Sequence, residues 1–209
     1  QSGNPISEDI GLDDLDENGL KLKCLSPSGA EVNLFQKQLD IENLDNYRKG
    51  TQAANYLSTV IKIETSKFYL LFTSDSPDSV YERLTMQMAE FNNKTLRLAQ
   101  IPHHGSYKNF MPEFWESLKK DNGCDVAISV GKNSYGHPSK DVLTTLHYQG
   151  YQVKLTNDVN GAVSYLYQLD SEEERKIREL DHLSDTLEVL PKTQCQYVID
   201  FHNSSQIAP

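Results

Sequence analysis

Apolar and polar residues recur along this chain with two periods, one typical of strands and one typical of helices. Residues 68–72 are apolar throughout, as expected of a strand buried on both faces, whereas 140–148 carries apolar residues at helical spacing. Strand and helix then follow one another, which implies parallel strands with helices packed on the sheet. We predict an α/β fold, or α+β because of the hairpins. Strands are predicted at 57–63, 68–72, 96–101, 126–130, 151–155 and 162–169, and helices at 77–91, 110–118 and 140–148.

The two ends of the chain differ in composition from this regular middle. The first residues are acidic and rich in Gly, Ser and Asp, which is typical of a flexible leader. Alternation over 20–25 predicts a half-buried strand, and the polar stretch 42–54 predicts a surface loop. After residue 169, a charged helix over 171–180 and an edge strand over 197–201 are predicted. The prediction divides the chain into a leader (1–19), a main unit (20–169) and a charged appendage (170–209).

The net charge of the chain limits the classes of partner that it is expected to bind. Thirty acidic against twenty basic residues give the 209-residue chain a formal net charge of −10. Such a chain repels phosphates, so long nucleic acid is not expected as a partner. No apolar run approaches the roughly 20 residues of a membrane helix, and no secretory signal opens the sequence. The cysteines Cys24, Cys124 and Cys195 form no CxxC pair, as in reduced intracellular proteins, so a cytoplasmic protein is expected.

Three predicted strands end in side chains that can bind a metal. Asp75 follows the strand 68–72, His103 and His104 follow 96–101, and His137 follows 126–130. Because strands that end together deliver their last residues to one edge of a sheet, we expect these side chains to converge. Carboxylate and imidazole suit a divalent metal, with zinc the first expectation and manganese or iron(II) also compatible.

Each of these residues also has a structural interpretation. Asp75 is well placed to cap the N-terminus of the helix that begins near Pro77. Adjacent histidines on a regular strand point to opposite sides, so one of His103 and His104 would bind metal while the other orients it or contacts substrate. Pro138 restricts the backbone of His137 to an extended conformation, although a turn can also hold a histidine by chance.

Further polar residues near these strand ends are candidates for substrate binding. Ser106 and Lys108 lie where an anionic group of a substrate could be held, and Asn133 and Tyr135 could orient a ligand or contact substrate. The remaining histidines are expected to have no catalytic role; these are His147, His182 and His202.

Hydrolysis is the reaction class that such a site predicts. A bound metal lowers the pKa of its water towards roughly 7 and polarises a carbonyl or phosphoryl oxygen. Asp75 and His104 are the residues expected to act in catalysis. A covalent mechanism would use Ser106 or Cys124 as nucleophile with His103 as base, but neither stands in the strand–elbow–helix motif that exposes such a nucleophile.

Taken together, these motifs resemble those of the metallo-β-lactamase superfamily. The matching segments are Asn55-Tyr56-Leu57-Ser58, Thr73-Ser74-Asp75, Pro102-His103-His104-Gly105-Ser106, Ser129-Val130-Gly131, Tyr135-Gly136-His137-Pro138 and Thr156-Asn157-Asp158. The similarity is greatest to the metallo-hydrolase domain of competence-type DNA-internalisation proteins and covers about residues 20–169.

The resemblance implies a fold, a site and an activity. The fold would be the C-terminal half of a four-layer αββα sandwich with the site between two sheet edges. Asp75, His137 and one of His103 and His104 would be metal ligands, and Ser74 stands where the family motif has glycine. The substrate would be a small molecule or a phosphodiester, since this branch is associated with cleavage of phosphodiesters or nucleic acids.

The principal ligand motif of that superfamily, His-x-His-x-Asp-His, does not occur in this sequence, and no histidine precedes His103. Three interpretations follow. The chain is the C-terminal half of a longer enzyme, its first half is a separate partner chain, or it is a degenerate relative. In the last case the alternative to a hydrolase is a non-catalytic module for protein interaction or regulation, with 170–209 as its contact surface.

Overall fold

The computed structural model describes residues 19–38 and 53–181, and all structural statements below concern those residues. They form strands and helices in alternation, as the hydrophobic pattern predicts, and the α/β class is confirmed. The strands are β1 (Lys21–Ser26), β2 (Val60–Glu64), β3 (Phe68–Phe72), β4 (Thr95–Gln100), β5 (Lys120–Ile128) and β6 (Tyr151–Leu155). The α-helices are α1 (Gly29–Gln38), α2 (Asp78–Thr85), α3 (Ala89–Asn92), α4 (Pro112–Ser117), α5 (Lys140–Tyr148) and α6 (Ala162–Asp181).

The strands form one six-stranded mixed sheet whose order follows the sequence, β1 to β6. The pairs β1–β2 and β2–β3 are antiparallel, which confirms the hairpin predicted before Phe72. The pairs β3–β4, β4–β5 and β5–β6 are parallel, as strand–helix alternation requires. Four consecutive strands therefore end at the same edge of the sheet, which we call the carboxyl edge.

The hydrophobic core lies between one face of this sheet and the helices. Tyr69, Leu71 and Val126 are fully buried on that face, because register pairs place Leu71, Ala99 and Val126 side by side. The helices contribute the other half of the core, with Trp115 among its largest side chains. On the opposite face, Phe72 remains 38% exposed. The four-layer sandwich implied by the resemblance stays a prediction.

A buried lysine lies inside the core face of β2. The Lys62 side chain is 1% exposed, forms an ion pair with Glu64 and donates a hydrogen bond to the Glu90 carbonyl oxygen. Its Nζ lies 5.3 Å from the ring centroid of Phe91 and 5.5 Å from that of Tyr69. Burial lowers the pKa of Lys62, although the neighbouring Glu64 acts in the opposite direction.

The strand predicted at the end of the main unit was wrong. The segment predicted as a strand over 162–169 is the first part of α6, which continues through the charged helix predicted over 171–180. Its buried residues Ala162 and Leu169, with Leu166 packed against the core, recur at helical rather than strand spacing. At the end of the stretch predicted as a surface loop, Ala53 is fully buried.

Helix α1 was not predicted, although its sequence contains a start signal. The Ser28 hydroxyl accepts from the Glu31 backbone N–H at 3.4 Å, and Glu31 Oε2 accepts from the Ser28 backbone N–H at 2.6 Å. This reciprocal pair is a capping box, which stabilises the first turn of a helix. Glu31 also accepts from Arg83 at 2.7 Å, so α1, β1 and α2 meet at this buried carboxylate.

The described residues bear on two further expectations. None of their helices combines the length and the apolar character needed to cross a lipid bilayer. Cys24 and Cys124 are buried free thiols, in agreement with the reduced cysteines expected from the sequence. The leader, the loop over 42–52, the strand over 197–201, Cys195, His182 and His202 lie outside the described residues.

Candidate metal site at the carboxyl edge of the sheet

The turn after β3 holds Asp75 at the carboxyl edge. The Thr73 hydroxyl donates to the Gln100 carbonyl oxygen at 2.8 Å, and Gln100 Oε1 accepts from the backbone N–H groups of Thr73 and Ser74 at 3.2 Å. These bonds tie the turn to the end of β4. Asp75 does not cap α2, because Pro77 occupies the cap position and no side chain bonds there. Asp75 is therefore not the helix cap that its position in the sequence also allowed.

The turn after β4 carries both histidines on a left-handed backbone. His103, His104 and Gly105 have φ values of 46°, 58° and 78°. The expectation that adjacent histidines must face opposite sides assumed a regular strand, and the left-handed turn removes that restriction. The ring centroids of His103 and His104 lie 6.0 Å apart, and the His103 backbone N–H donates to the Ser74 carbonyl oxygen at 3.0 Å.

Gly105 joins this turn to the loop after β5. A Cβ at this position would lie 2.8 Å from Pro138 Cβ, closer than any side chain tolerates. The Gly105 carbonyl oxygen also accepts from the Ser139 backbone N–H at 2.9 Å. Glycine at this position therefore permits both the left-handed turn and the close contact between the two loops.

The loop after β5 fixes the backbone of His137 through asparagine side chains. Asn133 Oδ1 accepts from the backbone N–H groups of Tyr135 and His137 at 3.1 and 3.0 Å, and its Nδ2 donates to the His137 carbonyl oxygen at 2.9 Å. Asn160 donates to the same oxygen at 2.8 Å. These contacts give Asn133 a structural role in the loop, while substrate contact by Asn133 stays a prediction.

The residues that follow β6 hold the same loop through hydrogen bonds. Thr156 Oγ1 accepts from the Val130 backbone N–H at 2.8 Å and donates to the Val130 carbonyl oxygen at 2.9 Å. Asn157 donates to that oxygen at 3.2 Å. All four parallel strands thus contribute residues that build or support the carboxyl edge.

The His137 ring lies between two aromatic neighbours. Its centroid is 6.0 Å from that of His103 and 6.0 Å from that of Tyr135, which stacks on it at 24°. Partial burial lowers the pKa of His137, and the neighbouring His103 and His104 lower it further. A lowered pKa favours the neutral imidazole, which is the form that binds a metal.

Asp75 and His104 lie close enough to share a cation. Asp75 Oδ1 is 3.8 Å from His104 Nε2. Two ligands that each lie about 2.1 Å from a tetrahedral zinc are about 3.4 Å apart, so a small side-chain movement is sufficient. Within 19–38 and 53–181, however, no group of three or more His, Cys, Asp or Glu side chains is arranged to hold a metal. The described residues fit a partial ligand set.

A cleft of about 870 Å³ opens beside the histidines. The predicted residues Ser106, Lys108, Tyr135, His103 and His137 line it, and Asn133 does not. Sequence reasoning missed Asn55 and Lys140, which also line the cleft. Lys140 stands in the first turn of the helix that follows His137, and this position was its only signal.

Comparison with known proteins found no matching family model, no matching curated protein and no matching solved structure. Family membership therefore stays a prediction.

Proposed function

We propose that this chain carries part of the site of a metal-dependent hydrolase that acts on a phosphodiester or a similar ester. The observation behind the proposal is the convergence at the carboxyl edge, where Asp75 Oδ1 lies 3.8 Å from His104 Nε2. In the same place, His103 and His137 have ring centroids 6.0 Å apart. These residues lie in the segments that follow three neighbouring parallel strands, β3, β4 and β5, so the topology of the sheet accounts for their meeting.

The chain's own residues have separate tasks in this proposal. A zinc or manganese ion held at the edge would activate a water molecule and polarise the ester oxygen. Lys108 and Lys140 line the cleft and attract an anionic group of the substrate, and Ser106 supplies a hydroxyl hydrogen bond. The stacked Tyr135 holds the His137 ring and forms an apolar wall for the rest of the substrate.

The partial ligand set requires further ligands. We propose that they come from another part of the fold, carried by a longer form of this chain or by a partner chain. A carboxylate and an imidazole alone bind a divalent cation weakly, whereas three or four protein ligands hold zinc firmly. Joining the missing ligands is therefore expected to raise both metal affinity and the rate of hydrolysis.

The test is zinc binding and hydrolysis of bis(4-nitrophenyl) phosphate by the full chain. We expect Asp75→Ala to weaken zinc binding by at least about 10–100-fold, the loss typical of residues that only orient a ligand, and to lower hydrolysis with it. Asp78→Ala is the matched control, because Asp78 is an exposed aspartate three residues further on. Equal zinc affinity in the Asp75→Ala variant and in the wild-type protein would refute the proposal.

A second candidate is a non-catalytic interaction module. The observation in its favour is the sheet face opposite the core, where Phe72 is 38% exposed beside the partly buried Ile61 and Leu98. The two candidates differ in one measurement. A module binds its partner equally well when Asp75 and His137 are both replaced by alanine, whereas a hydrolase loses zinc and activity.

A further inference from the structure

His103 and His104 are neighbours in one left-handed turn, but their ring nitrogens have partners of opposite polarity. The proton position on a neutral imidazole is set by the hydrogen bond that the ring makes. A partner that can only accept requires N–H at that nitrogen, and a partner that donates requires a lone pair there. The partners of the two Nδ1 atoms therefore indicate which nitrogen of each ring faces the site with a lone pair.

The Nδ1 atom of His104 lies 2.5 Å from the Ser129 carbonyl oxygen. A carbonyl oxygen only accepts, so the neutral ring carries its proton on Nδ1 and a lone pair on Nε2. That Nε2 is the atom 3.8 Å from Asp75 Oδ1. A backbone carbonyl that fixes the tautomer of an imidazole is the arrangement commonly found behind metal-binding histidines.

His103 has the opposite partner. The Asn55 side-chain Nδ2 lies 3.4 Å from His103 Nδ1. An amide NH₂ group only donates, so His103 Nδ1 accepts and its proton is on Nε2. This gives His103 an Nε2–H group to donate to another molecule.

The two rings also differ in their surroundings. His103 lines the cleft together with Asn55, Ser106 and Lys108, whereas His104 and Asp75 are not among its lining residues. The ring planes of His103 and His104 meet at 63°, so the rings are not parallel. The His103 side chain thus lies on the cleft, and the His104 side chain lies beside the Asp75 carboxylate.

We propose that the pair divides its work: His104 Nε2 is the metal ligand beside Asp75, and His103 Nε2–H donates a hydrogen bond to a substrate oxygen in the cleft. Asn55 is the positioning residue that fixes the His103 tautomer. The ligand role of His104 rests on the proposed function, and the tautomers do not. The division resolves which of the two histidines binds metal, a choice that the sequence leaves open.

The tautomers are tested first, in the metal-free full chain labelled with ¹⁵N. Two-bond ¹H–¹⁵N correlation spectra distinguish the two neutral forms of each histidine ring. We expect N–H at Nε2 for His103 and at Nδ1 for His104. Asn55→Asp replaces the amide with an accepting carboxylate, so it should move the His103 proton to Nδ1 and leave His104 unchanged. The same tautomer on both rings of the wild-type protein would overturn the proposal.

The roles are tested by His103→Ala and His104→Ala, a matched pair because both positions have positive φ. With zinc alone as the probe, His104→Ala should weaken binding by at least about 10–100-fold, the loss typical of residues that only orient a ligand, and His103→Ala should leave it nearly unchanged. With bis(4-nitrophenyl) phosphate, His103→Ala should lower kcat by about 10²-fold, because a hydrogen bond to the transition state is lost.

The outcomes separate this inference from the proposed function. If the wild-type protein binds zinc and His103→Ala weakens binding as much as His104→Ala, the division is overturned and the hydrolase proposal stands. If the full chain does not bind zinc, the proposed function and the ligand role of His104 are both overturned. The spectra then still decide the donor role of His103, since a proton on Nδ1 would refute it.

Discussion

At the scale of single residues, backbone strain is concentrated at the carboxyl edge. In the described part of the chain, the non-glycine residues with positive φ are Ser74, His103, His104 and Asn160. Ser74 precedes Asp75, and Asn160 donates to the His137 carbonyl oxygen. Such conformations cost about 1–3 kcal/mol each and persist where surrounding contacts enforce them. Their clustering at one edge agrees with a functional role for this part of the molecule.

Replacement of glycine by alanine distinguishes the two constraints on the His103–Gly105 turn, which are the positive φ of Gly105 and its close contact with Pro138. We expect Gly105→Ala to lower the free energy of unfolding by at least about 3 kcal/mol, because a positive φ and contact with Pro138 act together. Gly136→Ala meets no atom within 4 Å but has a φ of 77°, so only about 1–2 kcal/mol is expected. Chemical denaturation measures both losses.

Gly131→Ala is the control for this series. Gly131 is exposed, and a Cβ added there would meet no atom within 4 Å, so a change within about 0.5 kcal/mol is expected. Equal losses at Gly105 and Gly136 would show that Pro138 moves aside at little cost. The contact between the two loops would then contribute little to the geometry of the site.

At the scale of secondary-structure elements, the hydrophobic pattern predicts the buried strands of the sheet better than the helices at the two ends of the main unit. The strand over 68–72 is apolar throughout and agrees with β3. The error over 162–169 has a physical reason, since a short segment with apolar residues at mixed spacing is compatible with either period. Among the residues of helix α1 only Glu31 is buried, so no apolar stripe marks this helix, and its signal in the sequence is the capping box at Ser28 and Glu31.

The buried carboxylate of Glu31 connects three elements, so its removal should destabilise their junction. We expect Glu31→Ala to lower the free energy of unfolding by about 2–4 kcal/mol, because Arg83, whose side chain is 14% exposed, loses its carboxylate partner and keeps only neutral ones. Glu82→Ala is the control, since Glu82 is exposed on the neighbouring helix α2. Thermal or chemical denaturation checks the difference, and an equal loss in both variants would contradict the structural role of Glu31.

The buried Lys62 predicts a pH dependence of stability. Its pKa is lowered by burial, so at pH values between this lowered pKa and about 10.4 the unfolded chain binds a proton that the folded chain does not. Stability therefore rises with pH in that window. We expect Lys62→Met to be neutral or stabilising by about 1–4 kcal/mol at pH 7, because Glu64 keeps its partner Lys94 at 3.1 Å.

This advantage of Lys62→Met should shrink as the pH approaches about 10.4, because only the wild-type protein gains stability from loss of the lysine proton. The free energy of unfolding, measured by urea denaturation across the alkaline range, tests this. The exposed Lys67→Met variant serves as the control. An advantage that grows with pH would contradict the lowered pKa of Lys62.

At the scale of the whole molecule, the convergence of the site follows from sequence and its detailed geometry does not. Parallel strands have to end at one edge, so the meeting of Asp75 with the histidines could be predicted. The orientation of His103 and His104 depends on Gly105 packing against Pro138, which belongs to the loop after the next strand. The hydrogen bond from Asn55 to His103 joins residues that are 48 positions apart in the sequence. Contacts between distant loops of this kind leave no periodic signal in a sequence.

The net charge of −10 leads to a last prediction about the substrate. The lysines of the cleft, Lys108 and Lys140, are sufficient for one or two phosphate groups, whereas the chain as a whole is acidic. Binding of a labelled oligonucleotide of mixed sequence, measured by fluorescence anisotropy in physiological salt, should therefore be weaker than a Kd of about 10⁻⁴ M.

A small phosphodiester avoids this repulsion because it occupies only the cleft. We therefore expect its affinity for the cleft to depend little on salt concentration, since few counterions are released on binding. Lys108→Ala should weaken its binding, and Lys67→Ala, on the exposed β2–β3 turn, should not. Micromolar oligonucleotide binding that falls steeply with salt would instead show a basic path across the surface and would make long nucleic acid the substrate.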